Sequence, residues 1–225
     1  EKPKKLLHKI HRKVILQQAR FESVYNNLLK ALEKEDIHII DEKRLNKTQA
    51  AFVKDYFLNK VRSSLVPVML YKSDDFPFLR EQSIYLAIKF FRGNKGLDTP
   101  YALIEVPSDV PRFVVLPKAG LNNYIILLDD IIRYCLHDIF SIFNFTGFEA
   151  YTIKITRDAE LDIDNDVSKS ILEKITKSVK ERKTADPVRL IYDEKIPDDL
   201  LDFIKQSLDL SDTDNLISGG RYHNF

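Results

Sequence analysis

The sequence predicts an α+β fold, with an amino-terminal antiparallel helix pair followed by a mixed β-sheet with packed helices. Three observations lead to this class. Apolar residues recur at three- and four-residue steps up to Pro67, form short β-rich runs after it, and return to helical spacing between later strands. Helices first, strands next and a mixture of both last is the order typical of α+β domains.

Two helices are predicted in the first segment. The first extends from Leu6 to Leu32, with its apolar residues on one side. Residues 36–42 are predicted to turn the chain. The second helix begins at about Lys43 and ends before Pro67, because the residue that precedes a proline is disfavoured in the α region. A short link between two such helices favours antiparallel packing.

Strands dominate the next segment. The predicted strands are Ser83–Phe91, Tyr101–Val106 and Arg112–Leu116. The link at residues 107–111 contains two prolines and suggests a hairpin between the strands Tyr101–Val106 and Arg112–Leu116. Residues 124–128 fit either another strand or the first turn of the following helix, whose apolar stripe continues to Phe143.

The remaining segment alternates strands and helices. A strand is predicted at Phe148–Ile155, a helix over residues 167–179, and a strand at Val188–Tyr192. Pro197 at a first helical position, followed by two aspartates, predicts the start of the final helix.

The composition suits a chain that folds by core packing alone. Its 225 residues are 44% hydrophobic and 31% charged, with one Cys and six Gly. Disordered, collagen-like and disulfide-stapled proteins are therefore excluded. The net charge of +1 argues against nucleic acid as a partner.

Charge is nevertheless unevenly distributed. Residues 1–20 carry seven Lys or Arg and one acid, whereas residues 193–214 carry eight acids and two bases. Solvated helix faces explain such blocks, and a phosphate- or partner-facing patch is the other interpretation.

Several features predict a cytoplasmic protein. No export signal is expected, because nothing at the amino end resembles one, and the single Cys135 lies in an apolar run and is expected to be buried. No transmembrane segment is predicted, because the most strongly apolar run, Tyr124–Leu136, is interrupted by Asp129, Asp130 and Arg133.

No catalytic or metal-binding pattern emerges from the residues themselves. Acids from Asp158 to Asp166 could suggest a cation site, but Ile163 stands where a calcium loop needs Gly and Lys169 where it needs Glu. Glycine-rich nucleotide motifs, serine elbows and HExxH are absent. Residues 93–96 are interpreted as a turn between strands, and Gly219–Phe225 as a linker.

An ordered series of segments resembles the middle, or head, domain of polyphosphate kinases. The more specific segments are Tyr151–Leu161, Pro187–Leu190 and Gly219–Phe225. The others are Asp55–Phe57, Leu65–Val68, Phe76–Leu79, Ile104–Pro107, Pro111–Pro117 and Ile126–Ile132. One short motif would carry little weight, whereas the shared order and spacing indicate family membership.

The resemblance implies an enzyme that reversibly moves the terminal phosphate of ATP onto polyphosphate through a phosphohistidine, with Mg²⁺. It implies a cytoplasmic parent protein that can associate peripherally with membranes. The family's domains for nucleotide contact and for the phosphorylated histidine would lie outside these residues. None of the five histidines matches the nucleophile motif, so we expect no catalytic residue, cofactor or metal ligand here. The histidines are His8, His11, His38, His137 and His223.

Within such a kinase, the resemblance implies a role in dimerisation and in shaping the polyphosphate path. The expected partners are neighbouring domains of the same polypeptide, a second copy, and inorganic polyphosphate. Candidate polyphosphate contacts are the arginines of the resembling segments, since guanidinium groups bind phosphate oxygens. They are Arg112, Arg157, Arg189 and Arg221.

The predicted organisation has three parts: a helical hairpin at 1–64, an α/β body at 65–218, and the start of a linker at 219–225. Two alternatives to an inactive kinase domain remain open. One is a stand-alone self-association module, which the helix pair and the opposite end charges suggest. The other is a polyanion-binding module that uses the basic first helix.

Overall fold

The computed structural model describes most of the chain, and it confirms the α+β class. The described residues are 3–71, 76–81, 83–91, 101–143, 145–157, 187–210 and 215–222. The strands, numbered in chain order, are β1 (Ile37–Ile40), β2 (Val68–Leu70), β3 (Tyr85–Phe91), β4 (Tyr101–Glu105), β5 (Phe113–Ala119), β6 (Asn122–Leu127), β7 (Gly147–Arg157), β8 (Pro187–Asp193) and β9 (Leu216–Gly219). The helices are α1 (Pro3–Lys34), α2 (Lys47–Tyr56), α3 (Leu128–Tyr134), α4 (Leu136–Ile139) and α5 (Asp198–Ser207).

The first predicted helix is confirmed as α1, but the turn predicted at residues 36–42 is wrong. The chain enters a sheet there as β1, which pairs in parallel with β6 through Ile39 and Ile125. Asp36, with φ of 56°, reverses the chain between helix and strand. The strand is stabilised by its distant partner rather than by local pattern, which explains the error.

The second helix begins four residues later than predicted because Asn46 caps it. The Asn46 side chain accepts a hydrogen bond from the Gln49 backbone N–H, and the Gln49 side chain accepts one from the Asn46 N–H. Such a reciprocal cap fixes a helix start. Beyond Tyr56 the helix continues as a π turn, Phe57–Val61, and a 3₁₀ turn, Arg62–Ser64.

The strands form two sheets. The smaller has the order β1-β6-β5, and the larger has the order β2-β4-β3-β7-β8-β9, with β8 and β9 parallel and its other pairs antiparallel. The strands predicted at 83–91, 101–106, 112–116, 148–155 and 188–192 are all confirmed within a few residues.

The hairpin predicted at residues 107–111 is wrong, because that link connects the two sheets. β4 lies between β2 and β3 in the larger sheet, whereas β5 pairs with β6 in the smaller one. The true hairpin joins β5 to β6, where Ala119 faces Asn122 across Gly120 and Leu121. Gly120 has φ of 66°, a conformation that favours glycine.

Residues 124–128, which fit either a strand or the first turn of a helix, contain both. β6 continues to Leu127, and α3 begins at the next residue. The helix predicted to follow is interrupted at Cys135, which separates α3 from α4.

The final helix begins at Asp198 with Pro197 as its N-cap rather than its first residue. The predicted turn at 93–96, the acids at 158–166 and the helix at 167–179 lie outside the described residues.

The larger sheet is covered on both faces. Alternate residues of β3 point to opposite sides: Leu86 and Ile88 join a core with α2, α3 and the smaller sheet, while Tyr85 and Ala87 join a core with α5. Cys135 is fully buried in the first core, as predicted. The predicted boundary between residues 218 and 219 lies within β9.

Candidate functional site

Two adjacent acids at the start of α3, Asp129 and Asp130, bring together arginines from distant parts of the chain. Both aspartates are fully buried. β6 leads directly into α3, so their carboxylates lie in the first turn of the helix, where the macrodipole favours negative charge. Buried charges need ionic partners, and each aspartate has them.

Asp129 is paired with Arg112, the first of the predicted arginines. Arg112 donates from Nε to Oδ2 at 3.1 Å and from Nη2 to Oδ1 at 3.2 Å. Its backbone carbonyl accepts from the Leu128 N–H at 2.7 Å, so main chain and side chain fix the same contact. The paired, forked geometry is the strong form of an arginine–carboxylate interaction.

Asp130 accepts hydrogen bonds on both oxygens. Its Oδ1 accepts from Arg133 Nη1 at 2.9 Å and from Arg221 Nη2 at 2.8 Å, and its Oδ2 accepts from the Tyr222 hydroxyl at 2.6 Å. Arg133 is itself buried and donates further to Thr152 Oγ1 at 2.7 Å and to the Ala150 carbonyl at 3.1 Å. Asp130 therefore joins α3, β7 and the segment after β9.

Arg221, another predicted arginine, is held on several sides. Besides Asp130 it forms an ion pair with Glu42, and its backbone carbonyl accepts from the Thr152 hydroxyl at 2.7 Å. Burial alone would lower the pKa of Arg221, but Asp130 and Glu42 raise it overall. The pKa of Tyr222 is raised by burial and by Asp130. At neutral pH the arginine is therefore charged and the phenol is neutral, so both act as donors.

A cleft beside this network carries both signs of charge. Its charged lining residues are Lys43, Arg133, Lys195 and Arg221, together with Glu42, Glu149 and Asp193. A uniformly positive cleft would concentrate a polyanion, whereas this mixture does not build a field of one sign. The arrangement suits the fixing of protein segments better than the capture of a free anion.

The other two predicted arginines lie on neighbouring strands away from this network. Arg157, at the end of β7, is buried and donates from Nε and Nη2 to the Leu79 carbonyl at 3.0 and 2.8 Å. Its guanidinium carbon lies 3.8 Å from the centre of the Phe78 ring. Arg189 lies on β8 opposite Thr156 and is half-buried.

Most members of the network around Asp130 were not predicted as site residues. Asp129, Asp130 and Arg133 appeared in the sequence only as interruptions of an apolar run. Three charges within a run that is otherwise apolar were the signal, because charges in a run that is expected to be buried require partners. In the described part of Gly219–Phe225, which is predicted to begin a linker, Gly219 ends β9 and Arg221 and Tyr222 are half-buried.

The histidines have varied surroundings. His8 is exposed and His11 half-buried on α1, His38 stacks on Tyr124, and His137 packs edge-on against Phe148. His223 lies outside the described residues.

Across the described ranges, no three His, Cys, Asp or Glu side chains are grouped as metal ligands would be. In the same ranges no helix has the length and hydropathy to cross a bilayer.

Comparison with known proteins identifies the family. The family model described as the polyphosphate kinase middle domain matches residues 48–225. This chain belongs to the polyphosphate kinase family. Polyphosphate kinase from Yersinia pestis is 38% identical over 225 residues, and that from Salmonella typhimurium strain LT2 is 39% identical over 225 residues. Each alignment covers 98% of this chain.

A solved structure agrees with this family assignment. The crystal structure of polyphosphate kinase from Porphyromonas gingivalis superposes with a TM-score of 0.77 at 27% identity, and the match covers 97% of this chain and 31% of that one. The present chain spans 32% of the length of the Yersinia and Salmonella relatives. It therefore corresponds to about a third of a polyphosphate kinase.

Proposed function

We propose that these residues form the middle domain of an enzyme that reversibly transfers the terminal phosphate of ATP to inorganic polyphosphate. The single observation that carries the proposal is the family match over residues 48–225. The transfer proceeds through a phosphohistidine with Mg²⁺ on a cytoplasmic parent protein, and this region contributes neither the catalytic histidine nor a nucleotide or metal site. Its own role is to support dimerisation and the polyphosphate path.

Among the described residues, the surroundings of four histidines support the proposal that this region holds no nucleophile. A phosphorylated histidine needs a ring nitrogen open to ATP, whereas His38 and His137 pack against aromatic rings. His8 and His11 lie on α1, away from the buried charges of the Asp130 network.

The direct test is to incubate the 225-residue chain with ATP, Mg²⁺ and a short polyphosphate primer and to measure chain extension. We expect none. The complete natural polypeptide, assayed in parallel, is expected to extend the primer. Extension by the 225-residue chain would overturn its proposed inactivity, and failure of the complete polypeptide would overturn the proposed reaction.

Arg189 is the best starting point for testing the polyphosphate path. Arg112 and Arg221 already donate to carboxylates, and Arg157 donates to a carbonyl. Loss of any of those three is expected to disturb the fold together with any phosphate contact. Arg189→Gln should lower polyphosphate affinity and flatten its salt dependence. The unfolding free energy of the Arg189→Gln variant should stay within about 0.5 kcal/mol of the wild-type value. Unchanged affinity would remove Arg189 from the path.

A self-association role is the second candidate, and one face of α1 favours it. Leu6, Ile10, Phe21, Val24 and Leu28 are all exposed. At 3.6 residues per turn they fall within about 60° of one another around the helix. Exposed apolar stripes of this kind are typical of helix-to-helix contacts. The basic side chains of the same helix lie on a neighbouring face, which is the surface for the alternative polyanion-binding role.

Light scattering at tens of micromolar protein tests this second role. We expect a dimeric mass for the wild-type chain and a monomeric mass for Val24→Lys combined with Leu28→Lys. Lys30→Glu, which lies on the basic face, is the matched control and should remain dimeric. A monomeric wild-type chain would count against self-association by these residues alone.

A further inference from the structure

Residues 220–222, called here the tail segment, contact four different parts of the fold. Gly220 lies beside α1, where a Cβ atom would come within 3.4 Å of Glu22 Oε1. The Tyr222 ring packs edge-on against Tyr25 of α1, with centroids 6.4 Å apart. Arg221 reaches Glu42 after β1 and Asp130 on α3, and its carbonyl accepts from Thr152 on β7.

We propose that Arg221 and Tyr222 are positioning residues that clamp the tail segment and α1 onto Asp130. The clamp fixes the direction of α1 relative to the carboxyl end of β9. This inference rests on the proposed kinase function where it concerns catalysis, and on geometry alone where it concerns the clamp.

The contacts of Asp130 explain why the clamp is strong. Two guanidinium groups and one phenol donate to its two oxygens, and the carboxylate has no exposure to solvent. Glu42 supplies a second carboxylate, so two acids balance the charges of Arg133 and Arg221. Charge-assisted hydrogen bonds away from water are stronger than neutral ones, and their loss leaves a polar group without its partner.

The position of the clamp on α1 explains why it controls the helix. The carboxyl end of α1 is anchored by β1 and by the hydrogen bond from the Asn123 N–H to the Asp36 carbonyl at 2.8 Å. Elsewhere the helix exposes large apolar side chains, among them Leu16 at 64% and Val24 at 59%. Glu22 and Tyr25 lie about three turns before that end, so contact there sets the helix direction.

The consequence concerns the longer relatives. Polyphosphate kinases of this family are about three times as long as the matched region. In an enzyme of that size, an active site assembled from several parts depends on the angle between α1 and the tail segment. Misalignment of reacting groups by small distances lowers the rate of the chemical step. We therefore expect loss of the clamp to lower kcat while leaving the KM for ATP unchanged.

The structural arm of the test is hydrogen exchange on the 225-residue chain. Arg221→Met keeps the length of the side chain and leaves Asp130 paired with Arg133, and Tyr222→Phe keeps the ring but removes the hydroxyl. Both should speed exchange in residues 22–34 and 216–222 by about tenfold, equivalent to ~1.4 kcal/mol. Arg80→Met, which removes a surface pair with Glu105, is the matched control and should not. Unchanged exchange in Tyr222→Phe would overturn the clamp even if Arg221→Met failed to fold.

The kinetic arm uses the complete natural polypeptide with the same substitutions and adds Glu42→Gln. An acidic residue is no ligand for a polyanion, so reduced kcat in Glu42→Gln separates positioning from direct polyphosphate contact. Faster exchange with unchanged kcat would overturn the catalytic part of the proposal. A wild-type polypeptide that makes no polyphosphate would overturn the proposed function, and the exchange arm would still decide the clamp.

Discussion

Arg112 donates two hydrogen bonds to Asp129, although 17 residues separate them along the chain. The carboxylate has no exposure to solvent, while Arg112 is 18% exposed. The pair thus ties the amino end of β5 to the first turn of α3. Without the guanidinium, Asp129 would keep a buried charge that has lost its principal partner.

Replacement of Arg112 by Met should therefore lower the free energy of unfolding by about 3–5 kcal/mol. Urea unfolding at pH 7 measures the change. The exposed Arg62→Met is the matched control and should shift stability by no more than about 0.5 kcal/mol. Adding Asp129→Asn to Arg112→Met should restore part of the loss because it removes the unpaired charge. A loss below about 1 kcal/mol in Arg112→Met would show that Asp129 finds another partner.

The sequence predicted the elements that local periodicity governs, and it failed where distant pairing decides the outcome. The 32-residue helix α1 shows its amphipathic pattern over many turns. β1 has only four residues, too few for a two-residue period to be distinguished from a turn, and it exists because β6 lies beside it. Likewise the link at 107–111 resembled a hairpin because its prolines indicate a turn but not which sheet each flanking strand joins.

The candidate site shows the same limit. Arg112 and Arg221 were singled out through the resembling segments, and the structure brings them to adjacent aspartates. Their acceptors were not predicted, because a charge in a buried run reveals that it needs a partner but not where the partner lies. Asp130 and Arg221 are 91 residues apart, and only the folded sheet order brings them together.

The β5–β6 hairpin provides a second prediction. Gly120 has φ of 66°, and a Cβ atom there would meet nothing within 4 Å. Gly120→Ala should therefore cost about 1 kcal/mol through backbone strain alone, with no steric clash. Urea unfolding measures the cost, and Leu121→Ala, at an 88% exposed position in the same turn, should be close to neutral. Equal stability of Gly120→Ala and wild type would show that the turn tolerates another conformation.

Alkaline pH should destabilise the fold, with Cys135 as one contributor. Burial, followed by the effect of Asp138, raises the pKa of the Cys135 thiol from 9.0 to about 12. The unfolded chain therefore loses this proton first as pH rises. Above about pH 9 the Cys135 thiol lowers the unfolding free energy by ~1.4 kcal/mol per pH unit until its folded-state pKa is reached. The raised pKa values of Tyr151 and Tyr222 act in the same direction.

Urea unfolding at several pH values between 8 and 10.5 measures this effect. Cys135→Ala is expected to be less stable at neutral pH because of the lost packing, but its stability should fall less steeply with pH. The native thiol should also resist a disulfide reagent that reacts once the chain is unfolded, since the thiolate is the reactive form. Rapid modification in the folded protein would contradict the burial of Cys135.

The contact of Arg157 with Phe78 gives the last prediction. The guanidinium lies over the ring while two of its nitrogens donate to the Leu79 carbonyl, so stacking and hydrogen bonding need the same planar group. Arg157→Lys should lower the unfolding free energy by about 1–3 kcal/mol, because an ammonium cannot stack and donate in this way. A double-mutant cycle with Phe78→Leu isolates the ring contact, for which we expect a coupling of about 0.5–2 kcal/mol. Coupling near zero would assign the stabilisation by Arg157 to the Leu79 carbonyl and not to Phe78, whose side chain is 57% exposed.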